Sequence, residues 1–370
     1  FRRVLFRSQW IMDKMALLEI PVDEDEDEEN IVEYDSVFMD TTIVVNDEEV
    51  SANITLLPLL SDENKKLGSM IMIEDISSEK RMKSTMSKYM DATLADKLLG
   101  DGEELLGGTT SVATTLFSDI RSFTTLTEEL GAQGTVTMLN EYFTLMVDCV
   151  QKEEGMLDKF IGDAIMAIFG TPYPHEDDAD RAMRSAIDMM NELSTFNKQR
   201  AKDGKKPIDI GIGLNTDNVV SGNIGSPKRM DYTVIGDGVN LAARLESACK
   251  QYGARILISE YTMNALKSTY RTREVDQVIV KGKTEPVGVF EVLDFYDDET
   301  FPNMVQVLEH FKNGYENYKK GKWDAAIKCF NQCLKLNPND KASTMYIDRC
   351  KQLKSKKPKK WDGVWVMTSK

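Results

Sequence analysis

No stretch of this 370-residue chain approaches the roughly 20 consecutive apolar residues of a membrane-spanning helix, so none of it reads as a span. Histidine is nearly missing, at two residues, and the five cysteines (Cys149, Cys249, Cys329, Cys333, Cys350) are an odd, dispersed set without a C-x-x-C pair. That argues against structural zinc and a disulfide scaffold, and a reduced, cytoplasmic setting is expected. Positive charge is in deficit: 46 Lys and Arg face 61 Asp and Glu, a net −15, which disfavours a nucleic-acid partner. No G-x-x-x-x-G-K-[ST] occurs, and GIGLNTD departs from G-x-G-x-x-G, so P-loop and Rossmann chemistry both drop out. The chain opens Phe1-Arg2-Arg3 without a Met, and its first thirty residues lack the regions of a signal peptide. It reads as a fragment, with room upstream for a membrane anchor.

What remains is 41% hydrophobic and 29% charged, enough to bury a core in two or three domains. The acidic run DEDEDEE at 23–29 reads as a solvated linker or loop. From Thr41 to Ile76 alternating residues predict three antiparallel strands, turning at Asn46-Asp47 and in SDENKK. Their pattern and the closing IMIEDIS resemble the last strands of a PAS sensor domain. Met82, Met86, Met90, Leu94 and Leu98 then recur every four residues across 78–99, one stripe of a linker helix that either pairs with a second copy or packs on its own domain.

From Ser111 to about Leu293 strands and helices alternate. VATTLFSDI predicts a strand and VTMLNEYFTLMVDCVQKE a helix, and GMLDKF with DAIMAIFG predicts a hairpin about Ile161-Gly162-Asp163. A long helix through AMRSAIDMMNEL follows, its start marked by Pro172, Pro174 and EDDAD. Next come IDIGIGL, a turn at NTDN, VVSGNIG, DYTVIGDG and a helix VNLAARLESACKQY, an order that resembles a βαββαβ core. Counting a 34-residue unit from Val307, Gly314, Ala326, Phe330 and Pro338 occupy the small and aromatic places of a tetratricopeptide repeat. One such repeat cannot bury its own apolar face, so it must lean on the preceding domain, meet a partner, or be capped by a helix at 341–353. The basic KSKKPKK before WDGVW is either a solvated end or a contact for an acidic surface.

Asp119 ends a strand in LFSDIRSFT, and Asp163 sits in the turn of KFIGDAI. Singly, each reads equally as a turn former. Together they read as a metal site, because a nucleoside triphosphate adds about four negative charges, and like charges about 4 Å apart repel by roughly 4 kcal/mol at a dielectric near 20. Oxygen-loving Mg²⁺ or Mn²⁺ is implied rather than zinc. The stretch IRSFT can bring backbone N–H groups and the Thr124 hydroxyl to a helix start, which suits phosphate. Arg255, Lys281 and Lys283 are further phosphate candidates, each of which also reads as a solvated surface cation.

FSDIRSFT, KFIGDAIMAIFG, PHEDDADRA and DYTVIGDGVNLAARLE together resemble the catalytic domain of class III adenylate and guanylate cyclases, over about 111–293. Among relatives the resemblance is strongest to cyanobacterial-type and soluble adenylate cyclases. It implies an α+β chain in four parts: an acidic segment and partial PAS-like domain at 1–77, a linker helix at 78–110, a ferredoxin-like βαββαβ catalytic domain at 111–293, and a tetratricopeptide-like helical hairpin with a basic tail at 294–370. It also implies a head-to-tail homodimer with its active sites at the interface. Asp119 and Asp163 would hold two Mg²⁺ or Mn²⁺ ions, Arg255 the β-phosphate, and the turn with Phe123 and Thr124 the triphosphate. The second subunit would supply Lys159 and Thr233 for adenine, Asn240 for the ribose, Arg244 for the transition state and Lys281 for the γ-phosphate. Spacing alone puts Asn240 and Arg244 on one helix face.

Two positions depart from the family pattern. Thr233 stands where much of the family has Asp, and members resembling it are commonly stimulated by bicarbonate. Ser122 stands where many relatives have Gly. Guanylate cyclases typically place Glu at the position of Lys159, and a lysine can only donate, so adenine is favoured. The implied reaction is conversion of ATP to 3′,5′-cyclic AMP and pyrophosphate by two-metal-assisted attack of the ribose 3′-hydroxyl on the α-phosphate. The alternatives are a guanylate cyclase and a catalytically silent cyclase-like scaffold working through its repeat.

Overall fold

The computed structural model describes residues 37–45, 48–61, 66–86, 108–226, 228–279, 286–356, 361 and 363, and divides into two compact units, Phe1–Gly100 and Asp101–Lys370. In the first unit β1 (Val37–Val45), β2 (Glu48–Leu60) and β3 (Lys66–Asp75) form an antiparallel sheet in the order β1-β2-β3, as the alternation predicts. Ala52, Ile54 and Leu56 point to one face of β2 and, with Ile43, form its buried patch. Helix α1 (Ser77–Met86) follows, with Met82 exposed; Met90, Leu94 and Leu98 of the expected stripe lie outside the described residues.

The second unit is built on an eight-stranded sheet. Its centre runs β4 (Thr109–Ile120), α2 (Phe123–Lys152), β5 (Met156–Ile161), β6 (Ala164–Phe169), α3 (Asp178–Lys202) and β7 (Ile210–Ser226). The strands lie in the order β7-β4-β6-β5 with antiparallel neighbours, which is the ferredoxin-like βαββαβ arrangement. Beyond it come β8 (Arg229–Ile235), α4 (Asp237–Tyr252), β9 (Ile256–Ser259), α5 (Glu260–Ala265), β10 (Thr272–Ile279) and β11 (Pro286–Val292). Strand β9 joins β7 in parallel, β11 and β10 extend that edge, and β8 pairs with the second half of β7.

Alternation along β4 separates two faces. Leu116 and Ile120 enter the main core beneath α2 and α3, whose Met138, Tyr142, Met146, Ala182, Met183, Ala186 and Met189 recur at helical spacing. Ala113 and Phe117 point the other way, into a small patch with Met156, Met166, Val219 and Val234, and Asp119 shares their side. Helix α4 crosses this second face over Gly211 and Gly213, where a Cβ at Gly213 would meet the Ala242 carbonyl and the Glu246 nitrogen at 2.3 Å. Only glycine lets the helix lie so close.

One expectation needs correction. NTDN is no turn: Asn215, Thr216, Asp217 and Asn218 continue β7, paired with Thr115, Thr114, Ala113 and Val112. The Asn215 amide nitrogen donates to the Gly238 carbonyl at 2.9 Å and Thr216 shares a hydrogen bond with Thr114 at 2.8 Å, while the buried Asn215 Oδ1 has no partner. Helix α2 begins at Phe123, the helix start expected at IRSFT, and runs through VTMLNEYFTLMVDCVQK with a break at Gly131 (φ 66°, ψ 175°); Leu126 and Leu130 of its first part pack against the main core.

After β11 come α6 (Met304–Lys319), α7 (Trp323–Leu336) and α8 (Lys341–Lys356). Gly314 admits the Phe330 ring, 2.8 Å from where its Cβ would stand. The repeat both leans on the preceding domain and is capped: Phe311, Phe330, Tyr346 and Cys350 share one core with Leu241, Leu245, Val275 and Val289. Buried charges cross that junction, with Arg273 bound to Glu291 (2.6 Å) and Asp340 (2.7 Å), and Arg349 to Asp276 (2.6 Å). Trp361 stacks edge-on against Tyr318 and Trp323. All five cysteines are free thiols, as their spacing predicts.

Candidate active site

Asp119 and Asp163 meet because β4 and β6 are neighbours. The pairing of Ser118 with Ile165 brings the β5–β6 hairpin level with the end of β4, and Gly162 (φ 67°) makes its tight turn. The Ile120 N–H donates to Asp163 Oδ2 at 3.3 Å. Burial, and then the Asp119 carboxyl beside it, push the Asp163 carboxyl up to about 6. Beneath them Tyr142, fully buried, shares a 3.4 Å hydrogen bond with Ser118, and burial raises its phenol. Glu246 of α4 is pushed up to about 7, first by its burial and then by Asp119. Among the described residues no three His, Cys, Asp or Glu side chains gather as a ligand cluster. Two crowded carboxylates, one with a raised pKa, are a donor set that fits Mg²⁺ or Mn²⁺, which takes one or two protein carboxylates and fills its shell with water and phosphate oxygens.

The turn after β4 places Ser122 in the left-handed region (φ 56°, ψ 33°), which explains why glycine suits that position. Helix α2 starts there with no acidic residue in its first turn, Phe123 half-buried and Thr124 exposed. Arg255 lies close by: its Nε pairs with Asp209 Oδ1 at 3.0 Å. Arg121 braces the same corner, donating from Nη2 to the Ala254 carbonyl at 2.7 Å with its Nε 3.6 Å from Asp209 Oδ2. Lys281 and Lys283 lie outside the described residues.

Lys159 and Thr233 are joined by a residue the sequence reading passed over. A bulge between Leu157 and Lys159 lets β5 turn the intervening Asp158 inward, to 1% exposure of its side chain. Thr233 Oγ1 donates to Asp158 Oδ2 at 2.7 Å, and Lys159 Nζ lies 3.7 Å from Asp158 Oδ1, an oxygen with no hydrogen-bond partner. Burial raises the Asp158 pKa, opposed by the Thr233 hydrogen bond and the Lys159 charge. Asn240 and Arg244 both stand exposed on α4, Asn240 Nδ2 donating to the Gly236 carbonyl at 3.5 Å.

The predicted residues thus fall into groups: Asp119 with Asp163, Lys159 with Thr233, and Asn240 with Arg244. Among the described residues no hydrogen bond or ion pair links Asp119 or Asp163 to Lys159, Thr233, Asn240 or Arg244. Besides Asp158, sequence reasoning missed Glu246, Arg121, Asp209 and Tyr142. All five stand inside stretches quoted above, Asp158 next to Lys159 and Arg121 two residues after Asp119, but nothing local marks them out from their neighbours.

A model of the adenylate and guanylate cyclase catalytic domain matches residues 108–292, half of the chain, and a tetratricopeptide repeat model matches 308–340. The chain belongs to the adenylate and guanylate cyclase family. It is 35% identical over 280 residues to the terminal-differentiation-specific adenylate cyclase of Dictyostelium discoideum, covering 73% of this chain and 13% of that protein. To an adenylate cyclase of Anabaena cylindrica it is 38% identical over 196 residues, 51% of this chain and 38% of the other. The chain therefore spans well under half the length of these relatives. A solved bacterial light-regulated adenylyl cyclase overlays with a TM-score of 0.52 at 27% identity, covering 62% of this chain and 67% of that one.

Proposed function

We propose that this chain is an adenylate cyclase, forming 3′,5′-cyclic AMP and pyrophosphate from ATP at sites shared between two copies of itself. The observation that carries the reading is Asp163 held beside Asp119 at the end of β4 with a raised pKa, a pair that a divalent cation would relieve. The relatives named as adenylate cyclases support it. Asp119 and Asp163 would hold Mg²⁺ or Mn²⁺, which supplies Lewis-acid activation of the ribose 3′-hydroxyl and neutralises the triphosphate. Arg255, the Phe123–Thr124 turn and Lys281 hold the β- and γ-phosphates in place for departure of pyrophosphate. Lys159 donates to the adenine ring with Thr233 beside it, Asn240 orients the ribose, and Arg244 stabilises the charge that builds on the α-phosphate. Catalysis is then positioning and electrostatics, without a covalent intermediate.

A homodimer whose sites draw on both chains is what the resemblance implies, and it fits the lack, among the described residues, of any hydrogen bond or ion pair from Asp119 or Asp163 to Lys159, Thr233, Asn240 or Arg244. Phe160, Ile161, Val220 and Ile235, exposed on β5, β7 and β8, offer apolar surface for that contact. The four segments 1–77, 78–110, 111–293 and 294–370 remain our division of the chain, with the amino-terminal sheet as a PAS-like sensor and the repeat open to a protein partner on its outer side. A bicarbonate response rests on the resemblance at Thr233 alone. No described helix is long and apolar enough to cross a membrane.

Incubation with ATP or GTP and Mn²⁺, followed by chromatography of products, tests the reading. Cyclic AMP from ATP is expected, cyclic GMP from GTP as the main product would make the chain a guanylate cyclase, and neither would make it a scaffold.

A further inference from the structure

We infer that Asp158 fixes the direction of the Thr233 hydroxyl, making Thr233 an acceptor toward the base and so selecting adenine over guanine. This rests on the reading of Lys159 and Thr233 as the residues that meet the base. A threonine hydroxyl has one proton and two lone pairs. At 2.7 Å from a buried carboxylate oxygen that proton is committed to Asp158, and only lone pairs are left for a ligand. Lys159 is held to the same carboxylate by charge alone, at 3.7 Å, and with its side chain 39% exposed it keeps its N–H groups for the base. The pair therefore offers a donor and an acceptor. Adenine presents the complement, a ring N1 that accepts and an amino group that donates, whereas guanine presents an N1–H that donates and an O6 that accepts.

The bulge in β5 is what makes this arrangement. Lys159 pairs with Met166 and Leu157 with Ala167, so Asp158 is the extra residue, free to turn toward β8 while Lys159 keeps to the same side of the sheet. Asp158 would not itself touch the nucleotide; it acts through Thr233 and is a positioning residue. The device accounts for a threonine serving where much of the family carries an acceptor-only aspartate.

The test is Asp158→Asn in the full chain, with kcat/KM measured for ATP and for GTP. Lysine can only donate, so the new amide turns its oxygen to Lys159 and its NH₂ to Thr233. Thr233 then accepts from Asn and points its proton outward, toward the guanine O6. The ATP-to-GTP ratio of kcat/KM is expected to fall about tenfold, the weight of one hydrogen bond, through a higher KM for ATP. In a Thr233→Val background the same change should leave the ratio unaltered. Competition of ATP and GTP against a fluorescent nucleotide analogue, without turnover, should show the same shift. Should Asp158→Asn fail to fold, Thr233→Ser is expected to keep the wild-type ratio and Thr233→Val to lose it. Equal loss with both substrates at an unchanged ratio, or a shift that persists in the Thr233→Val background, would overturn the inference and leave the cyclase reading standing. Wild-type protein without a preference for ATP would instead remove the base-site reading, and this inference with it.

Discussion

Arg349 of α8 donates to Asp276 of β10 across 2.6 Å, with both side chains nearly or fully buried. Tyr252 of α4 donates to the same carboxylate oxygen at 2.6 Å, and Tyr346 of α8 donates to the Val275 carbonyl. The repeat's capping helix, the edge of the sheet and the helix that carries Asn240 and Arg244 are thereby tied at one point.

Replacing Asp276 by Asn or Ala leaves the Arg349 guanidinium buried without its counter-charge, and a loss of about 3–5 kcal/mol is expected. Urea denaturation followed by far-ultraviolet circular dichroism measures it. The catalytic domain and the repeat should unfold in one transition, because they share a core. Two separated transitions, or a loss below about 1 kcal/mol, would contradict that coupling.

Gly213→Ala tests how α4 is seated. A Cβ there meets α4 backbone atoms at 2.3 Å, which the helix can relieve only by moving, so a loss of about 1–3 kcal/mol is expected. Turnover should fall as well, since Asn240 and Arg244 ride on the displaced helix. Unchanged thermal stability and activity would show that α4 lies farther from the sheet.

Glu246 gives a pH signature. Its pKa of about 7 in the fold exceeds the ordinary 4.5, so its ionisation opposes folding. That cost is absent below about pH 4.5, grows as pH rises, and is complete above about 7. In chelator, Glu246→Gln should melt above wild type at pH 8, and the gap should narrow at pH 5. A variant that melts lower at both pH values would give Glu246 a stabilising role.

Much of this fold is legible in the sequence where a strand or helix has one wet face. The alternation of β4, the β5–β6 turn at Gly162-Asp163 and the spacing of α3 all put the expected residues on the expected side. NTDN misled because four polar residues in a row signal a turn only when no tertiary partner exists, and here Gly238 takes the Asn215 amide N–H while Thr114 and Thr262 bond Thr216. Arg273 and Arg349 were invisible for a related reason: a lone charged residue reads as surface, and their partners Asp340 and Asp276 lie 67 and 73 positions away. In the site, the named motifs supplied the residues proposed to meet the substrate. Asp158 escaped because the bulge that turns it inward depends on β5 pairing with β6, which no local pattern announces.

Asp119→Ala and Asp163→Ala should each reduce cyclic AMP formation to less than about a tenth of wild type at saturating metal, since each removes one of two carboxylates that would hold it. Retained folding, checked by circular dichroism, separates this from collapse. Activity above that level would remove the two-metal assignment.

The sharing of each site between two chains is tested most directly by mixing Asp119→Ala protein with Arg244→Ala protein and measuring cyclic AMP. Each variant alone should be nearly inactive. With full subunit exchange about half of the dimers are mixed, and each mixed dimer has one site carrying both lesions and one carrying neither, which gives about a quarter of wild-type activity. Asp119→Ala mixed with Asp163→Ala, both on one side of the site, should stay inactive. No recovery in the first mixture despite verified exchange, or recovery in the second, would contradict the shared site.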